Sequence, residues 1–230
     1  MPAHAGAAAR DCARPLLSQL QELIRGIYDL PAVPDVCDFL VTDRRSLPPA
    51  AAGGVGEEEL IVAQEEDTLA LSLYLDPGLL ERLAQANPLD RLHGRNVADY
   101  CTVLEGVSHF VCVAFHAGYD RPVSLLELEL QAEIDKYAAS VWLLRRQRPQ
   151  HFPAELPRLL FERSRVDERL ARGRAAIYRS ANRYALKYCR ALERTLRRFG
   201  AGESGWLTEL RRFYRLGGGR KQALIEQYGA

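Results

Sequence analysis

The chain has 230 residues, 47% hydrophobic and 27% charged, long enough to bury a core and too apolar for a disordered or fibrous protein. Its net charge of +1 conceals a division: residues 1–140 carry 10 Lys+Arg against 22 Asp+Glu (net −12), and residues 141–230 carry 21 against 8 (net +13). Five scattered cysteines without a CxxC pair fit a reduced, cytoplasmic protein rather than a disulfide scaffold, and no uncharged apolar run of about 18 residues marks a membrane span.

Residues 1–14 lack the apolar core of a secretory signal and read as a flexible tail. A first helix is expected from Pro15 to Asp29, with Leu16, Leu20, Leu23 and Ile27 as its apolar stripe and Pro31 and Pro34 beyond its end. Residues 35–42 read as a short strand, with Cys37, Phe39 and Val41 on one face. A Pro/Ala/Gly-rich loop over 46–56 follows. Leu60–Gln64 and Thr68–Leu75 then form a hairpin around Glu65-Glu66-Asp67. The strict alternation of Leu69, Leu71, Leu73 and Leu75 with Thr68, Ala70, Ser72 and Tyr74 gives it one buried face, expected to meet the first helix. A short helix follows Pro77 and stops at Asn87-Pro88.

Beyond that point the pattern is helical. Asn96 is placed to cap a helix over 97–117. Ser124 and Glu127 form a capping-box pattern opening a helix that runs to about Arg146. A short helix is expected near 156–162, then one long helix ending at Gly200, then a terminal helix from about Trp206 interrupted at Gly217-Gly218-Gly219. The fold class is therefore α+β and mainly helical. A tail (1–14), a small α+β part with a hairpin or three-stranded sheet (15–90) and a helical bundle (91–230) make up the chain.

Two constellations carry chemical meaning. Arg165, Arg169, Arg172, Arg179, Arg183, Arg190, Arg194 and Arg197 recur at steps of 3, 4 and 7, which keeps them on one side of a helix. A one-signed face of that length calls for an anion, and Arg rather than Lys favours planar contacts to carboxylate or phosphate. Arg172, Arg179, Arg183, Arg190 and Arg194 are the expected contacts. The partner would be a nucleic acid or an acidic protein surface, with no membrane involved and homo-oligomerisation left open. Glu127, Glu129, Glu133 and Asp135 on the preceding helix offer an internal alternative, in which they cover the arginines and the charges cancel within the chain.

The second constellation is a stripe on the 97–117 helix. Taking Glu105 as zero, His109 lies at about +40°, Cys112 at about −20°, His116 at about +20° and Cys101 at about −40°. Glu105, His109 and Cys112, joined by Glu133 from the next helix, would suit zinc or iron in a metal- or carboxylate-dependent enzyme. The spacing matches neither Glu-x-x-His nor His-Glu-x-x-His, and such a stripe is also what a less apolar helix face looks like. The expectation is a non-catalytic binding or adaptor protein with no cofactor. The sequence carries no phosphate-loop, dinucleotide or nucleophile-elbow motif.

Overall fold

The computed structural model describes residues 3–52, 54–65, 68–149, 153–162, 172–199 and 204–228. Among them the fold is α+β and mainly helical, with a three-stranded mixed sheet. The helices are α1 (Ala3–Tyr28), α2 (Pro49–Ala52), α3 (Pro77–Gln85), α4 (Val97–Ala117), α5 (Leu125–Gln147), α6 (Arg172–Phe199), α7 (Ser204–Tyr214) and α8 (Gly218–Gln227). The strands are β1 (Leu40–Val41), β2 (Glu58–Glu65) and β3 (Thr68–Leu75), in the order β1-β3-β2. The chain divides into two compact units, residues 1–24 with 32–120, and residues 25–31 with 121–230.

In the first unit the hairpin forms in the expected place, with β2 antiparallel to β3 from Glu58↔Leu75 to Glu65↔Thr68. Glu66 and Asp67 of its turn lie outside the described residues. β1 adds in parallel, Leu40 opposite Leu73 and Val41 opposite Tyr74. Burial along the leucine face deepens toward the strand's end: Leu69 and Leu71 are half-buried, Leu73 and Leu75 fully buried. α4 rather than α1 lies closest against this sheet. Gly106 is the local reason: a Cβ there would stand 2.8 Å from both Leu73 Cδ1 and Glu58 Cγ, so a larger residue would have to push these side chains of the sheet aside. By length and composition α4 would also suffice to cross a bilayer, although more than half of that window is buried in the protein.

Polar clamps fix the connections of this unit. The buried amide of Gln21 donates to Pro34 O (3.1 Å) and accepts from Val36 N (2.7 Å). Arg82 forks onto Asp99 (2.9 Å twice) and reaches Glu57 (2.9 Å). Arg44 lies over the Tyr74 ring at 4.0 Å and bonds Glu59.

Three local expectations are corrected. Residues 36–39 are a 3-10 turn instead of a strand, because Asp35 accepts from Cys37 N and closes the chain on itself. α1 begins at Ala3 and carries Pro15 in its interior; the run AHAGAAAR is rich in the strongest helix former. Asn96 makes no cap bond to α4. Its buried amide accepts from His93 N and donates to Ala86 O and Arg91 O, tying the loop before the helix.

The second unit is helical. Ser124 caps α5 as expected, accepting from Glu127 N at 3.2 Å. The segment at 158–162 is a single π-helical turn. α6 lies along α5 and is met by α7 and α8. Tyr188 of α6 stacks on Phe213 of α7, ring centroids 4.1 Å apart. The last turn of α1 also belongs here. Asp29, at φ 53°, ends the helix in the left-handed region, and Leu30 N bonds back to Arg25 O. Arg211 donates to Gly26 O and Ile27 O, and Arg215 to Tyr28 O and Asp29 O. Two guanidinium groups thereby satisfy the carbonyls that a helix C-terminus leaves open and oppose its negative dipole end.

Candidate anion-binding site

α6 forms because its sequence is built from Ala, Arg and Leu, all strong helix formers. Its core face runs through Ala175, Ala181, Ala185, Tyr188, Cys189, Leu192 and Leu196, all buried. These residues step by 3 or 4 for most of the length, so the opposite side is left to solvent. Arg179, Arg183, Arg190 and Arg194 are exposed there. Arg172 opens the helix but its side chain is outside the described residues, as are Arg165 and Arg169.

Four cations of this face share one open groove. Its lining among the described residues is Arg183, Leu186, Lys187, Arg190, Arg194 and Tyr228, with no carboxylate among these six. Arg183 to Arg194 spans eleven residues, about 16 Å along the axis. The far wall is held in place by α8: Lys187 Nζ donates to Glu226 O (3.0 Å), and Tyr184 OH to Glu226 Oε1 (3.4 Å). Tyr228 OH donates to Glu209 Oε1 (2.9 Å), and Glu209 is itself gripped by Arg212 through two bonds of 3.0 Å. Burial and that hydrogen bond push the Tyr228 phenol up to about 12. The Arg183 guanidinium stands 5.3 Å from the Tyr184 ring centroid.

Two buried carboxylates of α5, Glu127 and Asp135, find partners outside α6. Glu127, 4% exposed, pairs with Arg121 and lies 3.4 Å from the ammonium of Lys221. Lys221 is wholly buried; it donates to Gln131 Oε1 (2.9 Å) and sits 5.5 Å from the ring centroids of Phe213 and Tyr214. Gln131 Nε2 donates in turn to Asp135 Oδ1 (2.7 Å), which also accepts from Tyr28 OH (2.5 Å). Burial and the Asp135 charge drive the Tyr28 phenol well above its ordinary value. Glu133 pairs with Lys136 at 2.9 Å. For Glu127 and Asp135, therefore, the internal alternative takes a different form: their charges are met by Lys221, Arg121 and Tyr28.

The residues of the metal reading are distributed as follows. Glu105 and His109, one turn apart on α4, bring a carboxylate oxygen and a ring nitrogen within 4.8 Å of each other. Glu58 of β2 places Oε1 3.7 Å from His109 Nδ1, a neighbour that no local sequence signal announces. Cys112 is buried on the same helix, and Glu133 belongs to the second unit.

Sequence reasoning passed over three residues here. Lys187 falls four after Arg183 and three before Arg190, so periodicity alone could have added it. Tyr228 reaches the groove only because α8 folds back along α6. Lys221, beside a Gly-rich hinge in sequence, gives no hint that it is a core residue. No family model, curated protein or solved structure matches this chain in comparison with known proteins.

Proposed function

We propose that the chain is a non-catalytic binding protein whose second unit engages an anionic partner, a nucleic acid or an acidic protein surface, through α6. The observation that carries this reading is the groove on which Arg183, Lys187, Arg190 and Arg194 converge. Cations in a shared concave surface reinforce each other's field and draw an anion faster and more tightly than scattered charges do. The test is retention on heparin at low salt, for the parent and for Arg183→Glu/Arg190→Glu/Arg194→Glu. The parent should be retained and the triple variant not, while thermal unfolding stays within a few degrees, because all three side chains are exposed. A parent that flows through sinks the proposal.

A second reading is favoured by one observation, the approach of Glu105 and His109 with Glu58 beside the ring. It assigns the first unit a divalent metal, for which imidazole and carboxylate are suitable ligands. Elemental analysis after zinc loading should then show one ion per chain, lost in His109→Ala. Zinc no higher than in that variant rejects it.

A further inference from the structure

The groove on α6 offers more than charge. Tyr228 lines it with an aromatic ring whose hydroxyl is anchored on Glu209, so the ring is held in orientation. One step away the Arg183 guanidinium and the Tyr184 ring supply a second planar pair. Among the described residues of the lining, Leu186 is the one with an aliphatic side chain. The core of a protein–protein interface is depleted of charged residues, whereas four of the six residues that line this groove are cations. Nucleic-acid interfaces are polar and strongly positive. A cationic track beside aromatic rings is the arrangement by which single strands are held, phosphates on the cations and unpaired bases on the rings. In a duplex the base faces are stacked away and would leave Tyr228 without a role.

We infer that this groove binds single-stranded nucleic acid, with Arg183, Lys187, Arg190 and Arg194 on consecutive phosphates and a base on Tyr228. The inference rests on the proposed anion-binding role of α6 and names the class of partner.

Fluorescence anisotropy with a labelled 12-nucleotide oligo(dT), the same length of oligo(rU) and a 12-base-pair duplex tests it on the full chain. Both single strands should bind at least ten-fold more tightly than the duplex. Four phosphate contacts should give a log–log salt slope near −3. Tyr228→Leu should weaken single-strand binding about ten-fold; Tyr228→Phe, which keeps the ring but not its hydroxyl anchor, should recover most of that loss. A duplex bound as tightly as the single strands overturns the inference, and this comparison needs no variant to fold. Equal single-strand affinity for parent and Tyr228→Leu overturns it too. Heparin retention without oligonucleotide binding also overturns it, assigning the face to an acidic protein and leaving the broader reading intact. Loss of heparin retention in the parent rejects both.

Discussion

Replacing Lys221 by Met isolates the energetics of the second unit's core. The ammonium is wholly buried, bonded to Gln131 Oε1 at 2.9 Å and 3.4 Å from Glu127 Oε1. Methionine keeps most of the aliphatic stem between Phe213 and Tyr214 but removes the charge and the donor. Glu127 would then retain Arg121 and the start of α8, where a Cβ on Gly218 would come 3.1 Å from its Oε2. Removing one member of a buried ion pair costs about 3–5 kcal/mol, because the remaining charge stays desolvated. For a unit of this size that corresponds to a fall in Tm of about 10–20 °C. Chemical denaturation followed by circular dichroism, with Glu127→Gln and the double variant alongside, gives the coupling directly. The double variant should lose about 1–3 kcal/mol less than the sum of the singles. Loss of under about 1 kcal/mol in Lys221→Met, or strictly additive singles, would refute the claim that this network holds the unit together.

Two further predictions address the core. Gly106→Val should destabilise the first unit by about 1–3 kcal/mol through overpacking against Leu73 and Glu58, with Gly106→Ala milder because alanine gains helix propensity; equal denaturation midpoints for the Gly106→Val variant and the parent would contradict the close approach of sheet and α4. At alkaline pH, burial holds Tyr28 and Tyr188 well above their ordinary value and Tyr228 at about 12. The folded state thus keeps these phenols protonated while the unfolded chain ionises near 10, so their contribution is complete below about pH 10 and declines above it. Absorbance at 295 nm should show Tyr28 and Tyr188 ionising only as helical dichroism is lost, and ionisation of all ten tyrosines with dichroism intact would refute their burial.

What could be read from the residues was what depends on local period. The leucine alternation of β3 located the hairpin and its buried face, Ser124 marked the start of α5, and steps of 3 and 4 separated the two faces of α6. What could not be read depends on long-range closure. Residues 36–39 alternate like a strand, but the side chain of Asp35 offers a nearer partner for the backbone. Asn96 occupies a cap position and directs its amide to the preceding loop instead. Lys221 meets Gln131 across ninety residues, and no pattern within α8 distinguishes it from a solvated lysine. In the groove the cations were legible and the ring of Tyr228 was not, for the same reason.

The division of charge follows the division of the fold. The first unit holds 7 Lys+Arg against 17 Asp+Glu, a net of −10, and the second 24 against 13, a net of +11. Many cations of the second unit have a structural task visible in their partners. Arg211 and Arg215 close the end of α1, Arg212 grips Glu209, and Arg121 and Lys221 answer Glu127. On α6 cations also stand close to one another. Arg179 with Arg183, and Arg183 with Lys187, are like-charge pairs four residues apart, each unfavourable by about 0.2–0.5 kcal/mol. A chain under selection for stability alone would replace one such cation with a glutamate, as Glu193 stands one turn before Arg197 further along the helix. Keeping like charges at that spacing beside a groove costs the fold up to about 1 kcal/mol, a cost that an anion bound there would offset, since the same charges that repel one another would then share its field.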